Sequence, residues 1–312
     1  MEEGIRHVNG VYVFWTKPWL TGTTGHHMDK MENFSMYKFE ILHFIISTLF
    51  YRKLNGKTIL YTDKVFLNYL KSKGYDIFWD EIDVSKAEEF EKYNINAKTN
   101  WTSFKTWLVG RIPTPFLLID HDNYIYTVIP RELFDTDIRF AHWERLDKNI
   151  YPDKEDIAID NFSFNDNWDW NSDIPNTSLI YINNKEFIEE YSNKAMEFYK
   201  LNNDTEHSKS DTQYLFADQR LLALIGREKG IKLDTFSSKN YDLKEENEDS
   251  IQKGVGFHHL WIYKHKLKML EQNPNHPDIK EYHNFMDHHR TSIERVFPEY
   301  EELLKPLYSY DS

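Results

Sequence analysis

The sequence predicts an α/β protein with a parallel central sheet, flanking helices and a helical C-terminal extension. Three observations lead there. Short β-branched and aromatic runs alternate with amphipathic stretches through the first third of the chain. The run Phe116-Leu117-Leu118-Ile119 is apolar at every position, as in a strand covered on both faces. From Pro277 to Leu307 the spacing of apolar residues is mainly helical.

Val11 to Trp15 reads as a first strand, ended by Thr16-Lys17-Pro18. A helix follows from Ser35 to Leu54, where Phe39, Leu42, Ile46, Leu49 and Phe50 keep three-and-four spacing and Asn55-Gly56 supplies the stop. Thr58–Thr62 is a second strand, Lys64–Lys73 a helix closed by Gly74, and Tyr75–Trp79 a third strand. Ser103–Arg111 is helical and leads through Pro113-Thr114-Pro115 into the strand Phe116–Ile119. Residues Asp147 to Asp173, polar with little period, form a long surface loop. Leu179–Ile182 is a strand, Lys185–Leu201 an amphipathic helix, and Asp211 can cap a helix from about Thr212 to Lys229 that stops at Gly230. Lys244 to Asp249 is a solvated charged loop. With no internal repeat and no low-complexity linker, residues 1–312 form one composite domain.

Charge and composition narrow the function. Lys plus Arg is 38 against 51 for Asp plus Glu, a net charge of −13 without a basic cluster, which argues against a nucleic-acid partner. No Cys is present, so disulfides, thiolate metal sites and a Cys nucleophile are excluded, and any metal must use Asp, Glu or His. The N-terminus lacks the pattern of a signal peptide, and the longest apolar stretch, Ile41 to Phe50, is broken by His43 and Ser47 and is too short to span a membrane. A cytoplasmic protein is expected. Aromatic residues make up 16% of the chain, enough for a rigid core with rings left for stacking, for which Trp15 and Trp101 are candidates, though such rings are more often core.

Three segments could carry chemistry. Asp120-His121-Asp122 directly follows the buried strand Phe116–Ile119, and in open α/β sheets ligands bind beyond the carboxyl ends of strands. Hard carboxylate oxygens there suit Mn²⁺ or Mg²⁺ and, through it, phosphate oxygens. In an acidic chain Asp-x-Asp is also a chance pattern; Asp135-x-Asp137 is a second one. In Gly254 to Lys264, His258 and His259 could add an imidazole ligand and Lys264 could meet a diphosphate, or the two imidazoles could straddle a strand. In Phe216 to Leu222, Asp218 and Gln219 could sit at a cleft lip over Leu221, Leu222 and Ile225, or Asp218 could pair with Arg220 or Lys229 on a wet surface.

The ordered set of these motifs resembles the GT-A glycosyltransferases, which implies a Rossmann-like α/β fold with a mixed, mostly parallel central sheet flanked by helices. Asp120-His121-Asp122, Asn176 to Asn183, Asp218-Gln219-Arg220-Leu221-Leu222 and His259-Leu260-Trp261 with Lys264 following are similar to the retaining group that includes glycogenin and bacterial lipopolysaccharide galactosyltransferases. Phe14 to Pro18 is similar to the start of uncharacterised bacterial glycosyltransferase-like proteins, and the likeness spans roughly residues 8 to 268. It implies a nucleotide-binding half over about 8–125, a donor-sugar and acceptor half over 126–268, and a helical tail over 269–312. It also implies that Asp120 and Asp122, with His258 or His259, hold Mn²⁺ (or Mg²⁺), and that Trp15, Thr16, Thr62, Lys105, Asp120, Asn176, Ser178 and Lys264 contact the donor. His258 with Lys264 fits the family's His-x-x-Gly-x-x-Lys pattern with Trp261 in place of Gly; His259 fits His-Leu-Trp. Asp218 and Gln219 match the first two members of Asp-Gln-Asp and would be the catalytic pair, while Arg220 replaces the third.

The activity so implied is transfer of a hexose from a nucleotide-diphosphate sugar, UDP-linked, to a glycan or other hydroxyl acceptor with retention. A catalytically silent nucleotide-sugar or glycan-binding protein is the alternative, and a metallohydrolase built on His26, His27, His288 and His289 is a weaker one. Replacing Asp120 or Asp122 by Asn is expected to abolish activity with folding near normal, because an unligated carboxylate in a cation site is repelled by its neighbours.

Overall fold

The computed structural model describes residues 8–20, 34–157, 159, 161–203, 210–237, 251–252, 256–260 and 263–309. Its centre is a seven-stranded mixed sheet. β1 (Asn9–Phe14) lies between β2 (Thr58–Thr62) and β4 (Phe116–Ile119), with β3 (Glu81–Asp83) outside β2, and all four run parallel. β9 (Leu179–Ile182) runs against both β4 and β6 (Ile138–Phe140), and β10 (Leu233–Thr235) closes the edge parallel to β6. The order is thus β10-β6-β9-β4-β1-β2-β3, mostly parallel with one reversed strand.

Alternation along β1 shows why both faces are covered. Tyr12 and Phe14 enter one apolar cluster, with α2 (Lys38–Leu54), while Val11 and Trp15 enter the other, with α5 (Ser103–Val109), α6 (Lys185–Leu201) and α8 (Leu221–Glu228). Gly10 is required by close approach: a Cβ there would lie 2.5 Å from the Tyr51 ring, whose hydroxyl donates to the Val8 carbonyl. α3 (Lys64–Lys73) starts on the Asp63 carboxylate, which accepts from Phe66 N–H, and ends at Gly74 in the left-handed region with φ 72°. α1 (Lys17–Leu20) and α4 (Ser85–Glu91) are short connecting helices.

The C-terminal helices α9 (Tyr263–Gln272), α10 (Ile279–Val296) and α11 (Glu301–Tyr308) are part of the core. Phe285, Met286, Ile293 and Leu304 pack in the same cluster as Phe39 and Phe44 of α2. Glu271 of α9 also supplies what α2 lacks. Tyr37 gives no side-chain cap, and Glu271 instead accepts from Lys38 N–H (2.8 Å) and Phe39 N–H (3.3 Å) while Tyr282 donates to it.

Two expected elements differ. Tyr75–Trp79 is not a strand: Asp76–Phe78 is a 3₁₀ turn and the edge strand begins at Glu81. Burial decides this, since Tyr75, Phe78 and Trp79 face inward at helical spacing rather than alternating. The single helix expected over Thr212–Lys229 is three pieces, α7 (Ser210–Leu215), a π-helical segment over Phe216–Arg220, and α8. Six elements carried too little pattern to be expected: α4, β6, β10, β5 (Asn123–Ile125) and the pair β7 (Trp143–Glu144) with β8 (Ile174–Pro175). β11 (Ile251–Gln252), β12 (Phe257–His259) and β5 form a small antiparallel sheet that carries the late His pair beside the end of β4.

Candidate functional site

The chain leaves β4 in a tight turn. Asn123 N–H donates to the Asp120 carbonyl (2.9 Å), and Asp120 N–H donates to the Ser178 carbonyl (2.8 Å), so the turn is tied to the start of β9. Because α5 descends from the carboxyl end of the sheet, its first turn places Lys105 over this turn. The Lys105 ammonium lies 3.4 Å from Asp120 and 3.2 Å from Asp218, bridging two carboxylates 98 residues apart. On the other side Lys264, in the first turn of α9, meets Asp122 Oδ2 at 2.6 Å, and His259 Nε2 faces Asp122 Oδ1 at 3.6 Å. Five separated segments thus meet beyond the end of β4: 105, 120–122, 218, 259 and 264.

Charges here perturb one another strongly. Burial opposes the Lys105 charge, yet Asp120 and Asp218 hold its pKa above the ordinary lysine value. Burial pushes Asp120 up to about 6 against the pull of Lys105, and the nearby Asp122 and Asp218 charges add to the rise. Asp122 goes the other way: burial is outweighed by Lys264 and His259, which hold its pKa well below the carboxylate range. Strong, opposite perturbation of two neighbouring carboxylates is a feature that functional sites share with structural ion-pair networks.

Asp218 reaches inward because of the π-helical segment. Widening the turn frees carbonyls, and the buried Tyr191 hydroxyl, 2.8 Å from both the Ala217 and Asp218 carbonyl oxygens, serves them. Thr106 and Thr177 hydroxyls donate to the Asp218 carboxylate (3.4 and 3.2 Å). Asp218 therefore pairs with Lys105, not with Arg220 or Lys229. Gln219 is half-buried, and its Oε1 is enclosed without a hydrogen-bond donor among the described residues. Arg220 turns away. Its guanidinium donates to the Pro152 and Trp170 carbonyls and to Asp153 and lies over the Trp170 ring, fastening the 147–173 loop.

Other expected contacts lie deeper. Trp15 is buried, edge-on to Phe90, with its indole N–H on Glu91 (2.9 Å), so its ring is core and not open for stacking. Thr16 is spent on Asp63, donating to it through both N–H and hydroxyl at 2.7 Å. The Thr62 hydroxyl donates to the Phe14 carbonyl (2.6 Å). Trp101 is half-buried and packs on Tyr214. Asn176 and Ser178 are buried and bonded to each other, with Ser178 Oγ donating to Asn176 Oδ1 at 2.5 Å. The late His pair straddles β12: His259 faces Asp122, whereas His258 faces His43 on the opposite side, where burial, with His259 and His288 nearby, lowers its pKa to about 4. His258 is therefore not on the Asp122 side.

Sequence reasoning missed Thr106, Thr177, Asn123, Tyr191 and Glu144. Only the flanking motifs hinted at the first three; Glu144, buried and accepting from Asn176 Nδ2 at 2.6 Å, had no signal at all.

Among the described residues no set of three or more His, Asp or Glu side chains is arranged to hold a metal. Asp120 is turned to Lys105. The pair Asp122 and His259 does fit one divalent ion in kind and spacing. Its facing atoms lie 3.6 Å apart, and both could reach one ion at about 2.1 Å each. His26 and His27 lie outside the described residues, as do Gly254, Trp261 and the run Lys244 to Asp249. His289 is engaged with His43 (3.0 Å) in the core, so the adjacent-His reading of a hydrolase centre has no assembled site among the described residues. No described helix is long and apolar enough to cross a membrane.

A family model described as a family of unknown function (DUF6734) matches residues 9–305. No curated protein matches. Among solved structures, the galactosyltransferase LgtC in complex with donor and acceptor sugar analogs is similar over 81% of this chain and 86% of its own, at 12% identity and a TM-score of 0.40. Mouse xyloside xylosyltransferase 1 is similar over 81% and 96%, at 11% identity and a TM-score of 0.41. A nucleoside-diphosphate-sugar pyrophosphorylase from Vibrio cholerae is similar over 76% and 93%, at 9% identity and a TM-score of 0.39.

Proposed function

The chain belongs to that family, whose description assigns no reaction, and we propose that it is a metal-dependent glycosyltransferase. It moves a hexose from a UDP-sugar or similar donor to a glycan or other hydroxyl acceptor, with retention of anomeric configuration. The observation that carries this reading is the convergence of Asp120, Asp122, Lys105, Asp218, His259 and Lys264 at the carboxyl end of β4. The solved structures named above add only a likeness of fold.

Cleaving a sugar–phosphate bond sends negative charge onto the departing diphosphate. Lys264 and Lys105, fixed cations in an enclosed site, stabilise that charge as it grows. Asp122 and His259 would hold Mn²⁺ or Mg²⁺, with Asp120 joining when its contact with Lys105 loosens; the bound ion supplies Lewis-acid neutralisation of phosphate oxygens. Such an ion also explains how a chain of net charge −13 grips a diphosphate. Asp218, fixed by Lys105, Thr106 and Thr177, would orient the sugar, and Gln219, whose enclosed Oε1 has no donor among the described residues, would help to position the donor. The acceptor oxygen bonds to the anomeric carbon as the carbon–phosphate-oxygen bond breaks, and its proton passes to the departing phosphate oxygen on the same face.

The test is a thermal-shift screen of UDP, GDP and their common sugars with and without Mn²⁺, followed by NMR of the product. A donor-specific shift that needs Mn²⁺, with product configuration equal to the donor's, supports the reading; no shift with any of them ends it. The placement of Arg220 favours a second reading, a nucleotide-sugar-binding protein without turnover, because the third position of the Asp-Gln-Asp pattern is spent on the 147–173 loop. Slow donor hydrolysis in Mn²⁺ that disappears in Asp122→Ala decides for the enzyme.

A further inference from the structure

We propose that Glu144 is a positioning residue that holds the Asp120–Asn123 turn in place for the diphosphate, acting through Asn176 and Ser178 and touching no substrate. The inference rests on the transferase reading, which gives that turn its task.

Glu144 ends β7 and is 3% exposed. Its Oε1 accepts from Asn176 Nδ2 at 2.6 Å. The orientation of the Asn176 amide is fixed independently, since its Oδ1 accepts from Ser178 N–H (3.1 Å) and from the Ser178 hydroxyl (2.5 Å). Ser178 Oγ in turn accepts from Asn123 Nδ2 at 2.8 Å. Every hydrogen in the chain therefore points one way, from Asn123 to Ser178 to Asn176 to Glu144. A one-way chain ending on a carboxyl polarises each link in the same sense.

At its far end the chain grips the turn twice. Ser178 accepts from Asp120 N–H through its carbonyl (2.8 Å) and from the Asn123 amide through its hydroxyl. Asn123 directly follows Asp122 and lies opposite His259 across the β5–β12 ladder. Any slip of Asn123 therefore moves both Asp122 and its facing imidazole. Burying a carboxyl is costly, and an apolar side chain opposite Ile174 would join β7 to β8 as well. The buried His142 Nε2 lies 3.9 Å from the same Oε1, beyond hydrogen-bond distance, whereas the Asn176 amide is bonded to it at 2.6 Å, so the sense of that amide is what the carboxyl directly serves.

Exchanging the two groups tests this. Asn176→Asp sets two carboxylates against each other and breaks the sense of the chain. Glu144→Gln keeps an acceptor for Asn176. The double variant Glu144→Gln with Asn176→Asp lets an amide at 144 donate to a carboxylate at 176, which still accepts from Ser178. Two measurements are read on each full-length variant: Mn²⁺-dependent hydrolysis of UDP-glucose and UDP-galactose, and hydrogen-exchange protection of the Asn123 side-chain amide by NMR. Expected is a loss of about 100-fold in hydrolysis for Asn176→Asp, a few-fold for Glu144→Gln, and recovery to within about 10-fold of the parent in the double variant. Asn123 protection should follow the same order. Asn176→Asp as active as the parent, or a folded double variant no better than Asn176→Asp, overturns the proposal. Should Asn176→Asp not fold, a folded double variant with parental Asn123 protection and turnover supports the proposal, and one lacking either overturns it. Parental protein that hydrolyses neither sugar would instead remove the transferase reading, and the relay would then stand or fall on the Asn123 amide alone.

Discussion

Asp120 and Asp122 are one residue apart and chemically identical, yet their surroundings make them unequal. Asp122 is buried against the half-buried Lys264 ammonium, so Asp122→Asn takes from that cation the carboxylate at 2.6 Å. A loss of about 3 kcal/mol in denaturant unfolding is expected. That reverses, for this residue, the expectation that folding stays near normal. Asp120→Asn removes a carboxyl already pushed up to about 6, and stability at pH 7 should hold or rise. The sign follows from linkage. With the folded value above the ordinary one, the contribution of Asp120 is fully present below about pH 4 and is lost as pH rises through 6, so metal-free parent should lose stability over that window and Asp120→Asn should not. A parent and variant with equal pH slopes would refute this. Both variants should be inactive. Five of these residues were readable from motif order, and His259 was readable only as one of two. The strand's alternation made the choice, and a strand straddled by the two imidazoles was one of the two readings that so short a segment left open.

Elements in this fold are often completed by distant side chains. Glu271 takes the N-terminal amides of α2, 232 residues away, and Glu271→Ala should cost about 1–2 kcal/mol, a typical loss for a helix cap. Equal unfolding midpoints for parent and variant would show the cap to be idle. Arg220 does the corresponding work for the 147–173 loop. Arg220→Ala should expose that loop to limited proteolysis and cost about 3 kcal/mol, since two carbonyls lose their donor and Asp153 is left to Lys148. Helices and the buried strand β4 were legible because their periods repeat over many residues. The π-helical segment was not, because it depends on Tyr191 serving the freed carbonyls, and no local spacing records that.

For the whole molecule, the tail decides cooperativity. Its helices bury Phe285, Met286, Ile293 and Leu304 against α2, so the tail should not behave as an appended arm. A chain ending after Gln272 is expected to lose the sharp thermal transition of the full chain and to bind an apolar dye, because that face of α2 is uncovered. Retention of a sharp transition near the parental midpoint would refute this. Composition and order fixed much in advance: an acidic, cysteine-free α/β chain with carboxylates after a buried strand, a helical end, and a cation and an imidazole waiting near residue 260. Hydrophobic period and turn chemistry are local, so they survive in the linear order of residues. Which groups meet is not local. Lys105 bridging Asp120 and Asp218, His259 rather than His258 on Asp122, and Glu144 behind Asn176 all depend on strand direction and register across the sheets, and those are set by packing between segments that are not neighbours in the chain.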